Sequence, residues 1–306
     1  INTGGLIDGV IVTGATYVST NGSYKGGLVG QSAAGSTVQN SSFSGNAQVS
    51  GSFGCIVGQN YGSTKHCWSD ATIVSTAVQS TSTHLGGIAS VVLTLKGDTA
   101  NVEDCYFTGN ITGASGNNGG YLSASGYTGG LMGTYNNGIV ADCYNAGTVY
   151  NESSPYVGGI AGFYAATSGT TQWTNILSLG TIFNALLSRT EGCEFVGGNS
   201  YSKLLPHMSG CYFDSQVAGW GSTQGALTTR QLTDGIVLEG YSTNVWTFTS
   251  HLYPRLIGSN TLDIARLYAT PFYLEDGETH DKVHSNFTVS TEGGVEWQLT
   301  GGGSAA

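Results

Sequence analysis

Gly129-Gly130-Leu131-Met132-Gly133 and, a few residues on, Val140-Ala141-Asp142-Cys143-Tyr144-Asn145-Ala146-Gly147-Thr148-Val149 are two strings that recur along this chain. The first appears also as Gly26-Gly27-Leu28-Val29-Gly30, Gly54-Cys55-Ile56-Val57-Gly58, Gly86-Gly87-Ile88-Ala89-Ser90 and Gly158-Gly159-Ile160-Ala161-Gly162, at intervals of 28, 32, 43 and 29 residues. The second appears as Val102-Glu103-Asp104-Cys105-Tyr106-Phe107-Thr108-Gly109-Asn110-Ile111, with looser copies starting at Val38, Thr64, Trp173 and Met208. A repeat of this size, made of short strands with Gly corners, cannot bury its own apolar side, so the copies must stack on one another.

Aligned copies of the second string give columns that alternate with the period of a strand. The inward columns run Ser41, Cys67, Cys105, Cys143, Ile176, Cys211; then Phe43, Ser69, Phe107, Asn145, Ser178, Phe213; then Ala47, Ile73, Ile111, Val149, Ile182, Val217. Between the first two lies Ser42, Trp68, Tyr106, Tyr144, Leu177, Tyr212, which alternation places outward as an aromatic row.

The expectation is an all-β chain: a right-handed parallel β-solenoid (β-helix) of about six to seven coils. Residues 1–218 form its repeats, 219–260 a C-terminal cap that covers strand groups an open end would leave unpaired, 261–300 an extended β tail or the start of a further β module, and 301–306 a linker. Variable repeat length is explained if Ser75 to Thr83 and Ser115 to Ser125 loop out at a corner. No charged-then-apolar signal pattern follows Ile1, so the chain is expected to be a mature product or an excised piece, and since Gly4 to Tyr17 already reads as strand, either upstream sequence was removed or another molecule covers that end.

Composition agrees. The 306 residues include 49 Gly, only 9% are charged, and no run of helix formers is visible. A net charge of −10 repels the phosphate backbone and argues against nucleic acid as a partner. No apolar run reaches the ~20 residues that span a bilayer, so membrane insertion is not expected. The cysteines lack Cys-x-x-Cys pairs, which argues against zinc. Four of them fall in one inward column, which reads as a ladder of small buried hydrophobes in preference to disulfides, leaving Cys55 and Cys193 free to pair.

Gly-Gly-Leu-Val-Gly followed by a Gly-x-Asn-x-Gly segment and then Asn/Asp-Cys/Ser-Tyr resembles the GLUG-motif repeat, with Gly58-Gln59-Asn60-Tyr61-Gly62 and Gly133-Thr134-Tyr135-Asn136-Asn137-Gly138 carrying the middle part. The resemblance covers about residues 20–218. It implies a secreted or surface-anchored bacterial protein, a family that includes adhesin-like chains and non-catalytic regions of some immunoglobulin A1 proteases. No His-Glu-x-x-His is present, so protease activity is not carried over.

Two sets of residues carry candidate chemistry. Trp68, Tyr106, Tyr144 and Tyr212 form a row of rings on which sugars or apolar side chains of a partner can stack, unless the rings serve one another or the C-terminal segment covers them. The column Asn40, His66, Asp104, Asp142, Asn175, Gly210 brings Asp104 and Asp142 to successive coils near His66, a spacing of carboxylates that glycosidases use. Asn40 and Asn175 in the same column favour a structural corner, where Asn and Asp cap local backbone groups. Neither a calcium loop nor a Gly-x-Ser-x-Gly elbow is present, and no cofactor is expected. The functional expectation is an extracellular adhesin or stalk segment that contacts host or neighbour-cell molecules, glycans among them. The alternatives are a filament or spacer subunit that self-associates through its open end and residues 261–300, and a carbohydrate-active enzyme.

Overall fold

Each copy of the Gly-Gly string becomes two short strands with a sharp turn between them, and each copy of the second string becomes strands of one large sheet. These elements come from a computed structural model, which describes residues 4–19, 24–77, 83–94, 99–113, 126–151, 154, 156–165, 171–184, 194–198, 206–218, 224–250 and 252–259, and the backbone of 286–290 and 296–300. The chain divides into two units, residues 1–259 and 260–306. In the second unit, Asn286–Ser290 and Glu296–Thr300 pair as an antiparallel hairpin.

The first unit is all-β, with parallel sheets. Strands Lys25–Gly26, Phe53–Gly54, Thr83–Gly86, Gly126–Gly129 and Tyr156–Gly158 form a five-stranded sheet before the turn. Val29–Ser32, Val57–Asn60, Ala89–Val92, Met132–Tyr135 and Ala161–Tyr164 form a second sheet after it. The third and largest sheet holds the second string, and its pairings join like residues of successive copies: Ser42 to Trp68, Trp68 to Tyr106, Tyr106 to Tyr144, Tyr144 to Leu177 and Leu177 to Tyr212. Residues of all three sheets meet in one buried cluster.

The Gly-Gly pair has a steric cause at both positions. A Cβ on the first glycine (Gly26, Gly54, Gly86, Gly129, Gly158) would strike the carbonyl oxygen three residues further on, across the turn. A Cβ on the second would strike the Phe, Asn or Ser of the inward column: Gly27 lies against Phe43, Gly87 against Phe107, Gly130 against Asn145 and Gly159 against Ser178. In the one copy where Cys55 replaces this glycine, the facing residue is the small Ser69. Two large rings of this column, Phe43 and Phe107, thus stand against glycine, and Cys55 in the glycine position stands against a small residue, as close packing requires. After the turn, one carbonyl accepts two N–H groups of the preceding copy; Leu131 O, for instance, receives Ile88 N at 2.9 Å and Ala89 N at 3.0 Å.

The cysteine column is buried, and Cys67, Cys105, Cys143 and Cys211 are free thiols. Each donates to the carbonyl two residues back, as Cys105 Sγ does to Glu103 O at 3.1 Å and Cys143 Sγ to Ala141 O at 3.1 Å. Ser41 makes the same bond to Gln39 O at 2.6 Å, so Ser and Cys fill this column in the same way, while Ile176 occupies it without a donor. Cys55 is also a buried free thiol; Cys193, and so the pairing considered for it, lies outside the described residues.

Two expectations are adjusted. Val217 is buried, yet it lies in a one-turn helix, Ser215–Ala218, because Asp214 Oδ1 accepts the N–H groups of Gln216 and Val217 and turns the chain out of the strand. A further copy of the first string, missed because Cys193-Glu194 replace its leading glycines, is present at Phe195 and Val196: Phe195 O accepts from Ile160 N and Ala161 N as Leu131 O does from Ile88 N and Ala89 N, and Val196 bridges to Ala161. Most of the proposed loops at 75–83 and 115–125 lies outside the described residues.

Candidate functional site

The column of Asn40, His66, Asp104, Asp142 and Asn175 stands at the corner just before the cysteine ladder, and all five adopt a left-handed backbone with φ between 50° and 55°. Gly9 and Gly210 hold the matching corners at φ 70° and 63°. Left-handed backbone favours Gly, Asn and Asp, so a structural corner accounts for the residue types. The side chains do not cap their own backbone, as the sequence suggested; they hydrogen-bond from one copy to the next. Asn40 Nδ2 donates to Asp8 Oδ1 at 2.8 Å, and Asn175 Nδ2 to Asp142 Oδ1 at 3.0 Å.

The middle of the column differs. His66 Nδ1 stands 3.4 Å from Asp104 Oδ2, beyond the usual N–H···O range, and His66 is the more exposed of the two at 58% of its side chain against 23% for Asp104. Burial pushes the Asp104 carboxyl above the usual range, the nearby imidazole opposes this, and the Asp142 charge adds to it. Lys65 is already engaged by Glu103 at 2.8 Å.

The aromatic row is present and its rings stack: Trp68 on Tyr106 with centroids 6.0 Å apart, and Tyr106 on Tyr144 at 4.9 Å, both nearly parallel. Of the readings the sequence left open for this row, the rings serve one another and the C-terminal segment covers part of them. Tyr144 is 0% and Tyr106 4% exposed, while Trp68 and Tyr212 are half-buried. The cause is the C-terminal segment. Trp246–Thr247 pairs antiparallel with Arg255–Leu256, and this hairpin with Tyr241 lies along the flank of the stack. Trp246 packs on Tyr144 at 6.0 Å and its Nε1 donates to Asp142 Oδ1 at 2.8 Å. Tyr241 packs against Tyr212 at 6.1 Å and donates to Gly210 O at 2.9 Å. Of residues 219–260, Ala226–Leu227 does pair with Phe213 and Asp214, but the hairpin covers a side of the stack.

This flank segment stops short of the earlier copies and leaves a cleft of about 230 Å³. Trp68 and Tyr106 form one wall, His66 and Asp104 another, and Asn244, Val245 and Leu256–Ser259 the third. The structure therefore brings together Trp68 and Tyr106 of the four rings and His66 and Asp104 of the three acidic-site residues, while Tyr144, Tyr212 and Asp142 are taken up by the flank segment. Sequence reasoning missed the contribution of Val245, Leu256 and Ile257. Their signal was Trp246 and Tyr253-Pro254-Arg255-Leu256, which are too apolar for a solvated tail. It also missed a second column, Tyr24, His84, Tyr127 and Tyr156, with His84 at 5.7 Å from Tyr24 and 5.0 Å from Tyr127. Comparison of the chain with protein-family models, with curated proteins and with solved structures gave no match.

Proposed function

We propose that this chain is a length of right-handed parallel β-solenoid from a bacterial surface protein of the GLUG-repeat kind, and that it acts outside the cell as an adhesin or stalk segment that binds glycans in the cleft beside Trp68. In-register pairing of like residues over successive copies supports the solenoid reading. The glycan reading is carried by one observation: a half-buried indole stands beside a carboxylate and an imidazole in one small cleft. A sugar ring has an apolar face that stacks on an aromatic surface and hydroxyls that need donors and acceptors at its edge. The volume is below the ~300 Å³ of typical small-molecule pockets, which suits a site gripping one ring of a chain that lies over the surface.

Binding is favoured over hydrolysis because Asp142, the second carboxylate a glycosidase would need, spends one oxygen on Trp246 and Asn175. A glycan array tests the proposal. Native protein is expected to bind a subset of glycans and Trp68→Ala to lose at least about tenfold in affinity, a loss of ~1.4 kcal/mol. No binding to any glycan would overturn it in favour of a spacer or filament subunit. Release of reducing sugar that Asp104→Asn abolishes would overturn it in favour of an enzyme.

A further inference from the structure

We infer that the glycan this cleft takes is cationic, an amino sugar whose ammonium group sits between the Trp68 ring and the Asp104 carboxylate. The inference rests on the glycan-binding reading above and adds the charge of the ligand.

Asp104 is the odd carboxylate of the corner column. Asp8 accepts from Asn40 and Gln39, and Asp142 from Asn175 and Trp246, so both are satisfied by their neighbours. Where those carboxylates have an Asn in the following copy, Asp104 has Asp142, which repels it, and His66 in the preceding copy keeps its ring nitrogen 3.4 Å away. Among the described residues that long contact is the one polar contact of the Asp104 side chain, which is 23% exposed and lines the cleft, so its oxygens can accept from a ligand there. Its pKa is raised because burial disfavours the ionised form. A ligand bringing an N–H⁺ group would supply both the missing donors and the missing charge.

The surroundings select the sign. Asp142 adds a second negative charge close enough to act on Asp104. Lys65, the nearby cation, is held by Glu103 at 2.8 Å, which leaves little to receive an acidic sugar. The chain as a whole carries −10, so a cation is drawn in and a uronate repelled. The other wall is Trp68 with Tyr106, and an indole is the aromatic side chain that attracts a cation best. Neutral sugars satisfy the ring-stacking requirement only.

Titration calorimetry on the whole chain tests this with four probes: β-1,4-linked tetramers of glucosamine, of N-acetylglucosamine, of glucose and of a uronate. The glucosamine tetramer is expected to bind at least about tenfold tighter than the neutral ones, and its advantage to shrink at about 1 M salt, where the screening length is ~3 Å. Asp104→Asn, which keeps a residue suited to the left-handed corner, should erase the advantage while leaving neutral binding in place. Trp68→Ala should weaken every tetramer. Equal affinity for charged and neutral tetramers, unchanged by Asp104→Asn, overturns the charge assignment and leaves glycan binding standing. Absence of binding by all four overturns the assignment too, and a blank glycan array would then remove the reading beneath it.

Discussion

His84 shows how far a single residue here depends on its copy-to-copy neighbours. It sits between Tyr24 and Tyr127 in the second aromatic column, with Nδ1 2.6 Å from Thr134 Oγ1, and burial pulls its pKa down to about 4. In the unfolded chain it titrates near 6.5. The folded protein therefore resists protonation: stability is full above about pH 6.5, declines as the pH falls toward about 4 and then levels off, for a total of about 3 kcal/mol. His84→Tyr places in the column the residue that it already has at Tyr127 and Tyr156, and removes this slope. Urea unfolding at pH 7 and pH 4.5 should show the native chain losing about 2 kcal/mol more than the variant. Equal losses would mean that His84 is protonated without cost. At this scale the corner residues were the most legible, because Asn, Asp and Gly in one column name a left-handed turn. His66 in that column was the exception, and neither it, at 3.4 Å, nor Asp142 on the other side gives Asp104 the donor that Asn gives Asp8 and Asp142.

Among the elements, the hairpin of Trp246–Thr247 and Arg255–Leu256 decides what the flank can bind. Alternation in the strand put the Tyr106 and Tyr144 rings outward, and that much was readable, since period two fixes the face. Whether an outward face meets water depends on a segment more than a hundred residues away in sequence, which no local pattern reports; Trp246 and Asp142 are 104 residues apart. Trp246 is 1% exposed, packs at an angle against Tyr144 and Tyr241, and ties down Asp142. Replacing it by Ala removes a large buried ring, with a cost of about 3–5 kcal/mol. That cost should fall on the flank segment: hydrogen exchange in Trp246→Ala should quicken at Tyr241–Leu256 and at Tyr144, while Val29–Ser32 and Val57–Asn60 keep native protection. Uniform loss of protection throughout would show that the hairpin is part of one cooperative core.

At the scale of the whole molecule, the arrangement of strands followed from the repeats, because like residues of successive copies had only one way to be buried together. What the repeats could not supply is the coupling between the two strings within a copy, which becomes visible only when Gly87 is seen against Phe107 and Cys55 opposite Ser69. This coupling makes the copies exchangeable under one condition. Deleting residues 63–100 removes the second string of one copy and the first string of the next, so Phe53–Asn60 runs on into Asn101–Thr112. The strand partners remain like for like: Phe53–Gly54 now meets Gly126–Gly129, and Ser42–Phe43 meets Tyr106–Phe107. The core does not, since Cys55 then faces Phe107, a ring that elsewhere lies against a glycine. The deletion alone should therefore fold poorly, with an overpacking cost of about 1–3 kcal/mol, and adding Cys55→Gly should recover most of it. Cys55→Gly in the full chain should do the opposite, opening a void beside Ser69. Thermal unfolding of the four proteins reads this as a reversal in sign of the Cys55→Gly effect. If the substitution acts alike in both backgrounds, the two strings do not share a core volume.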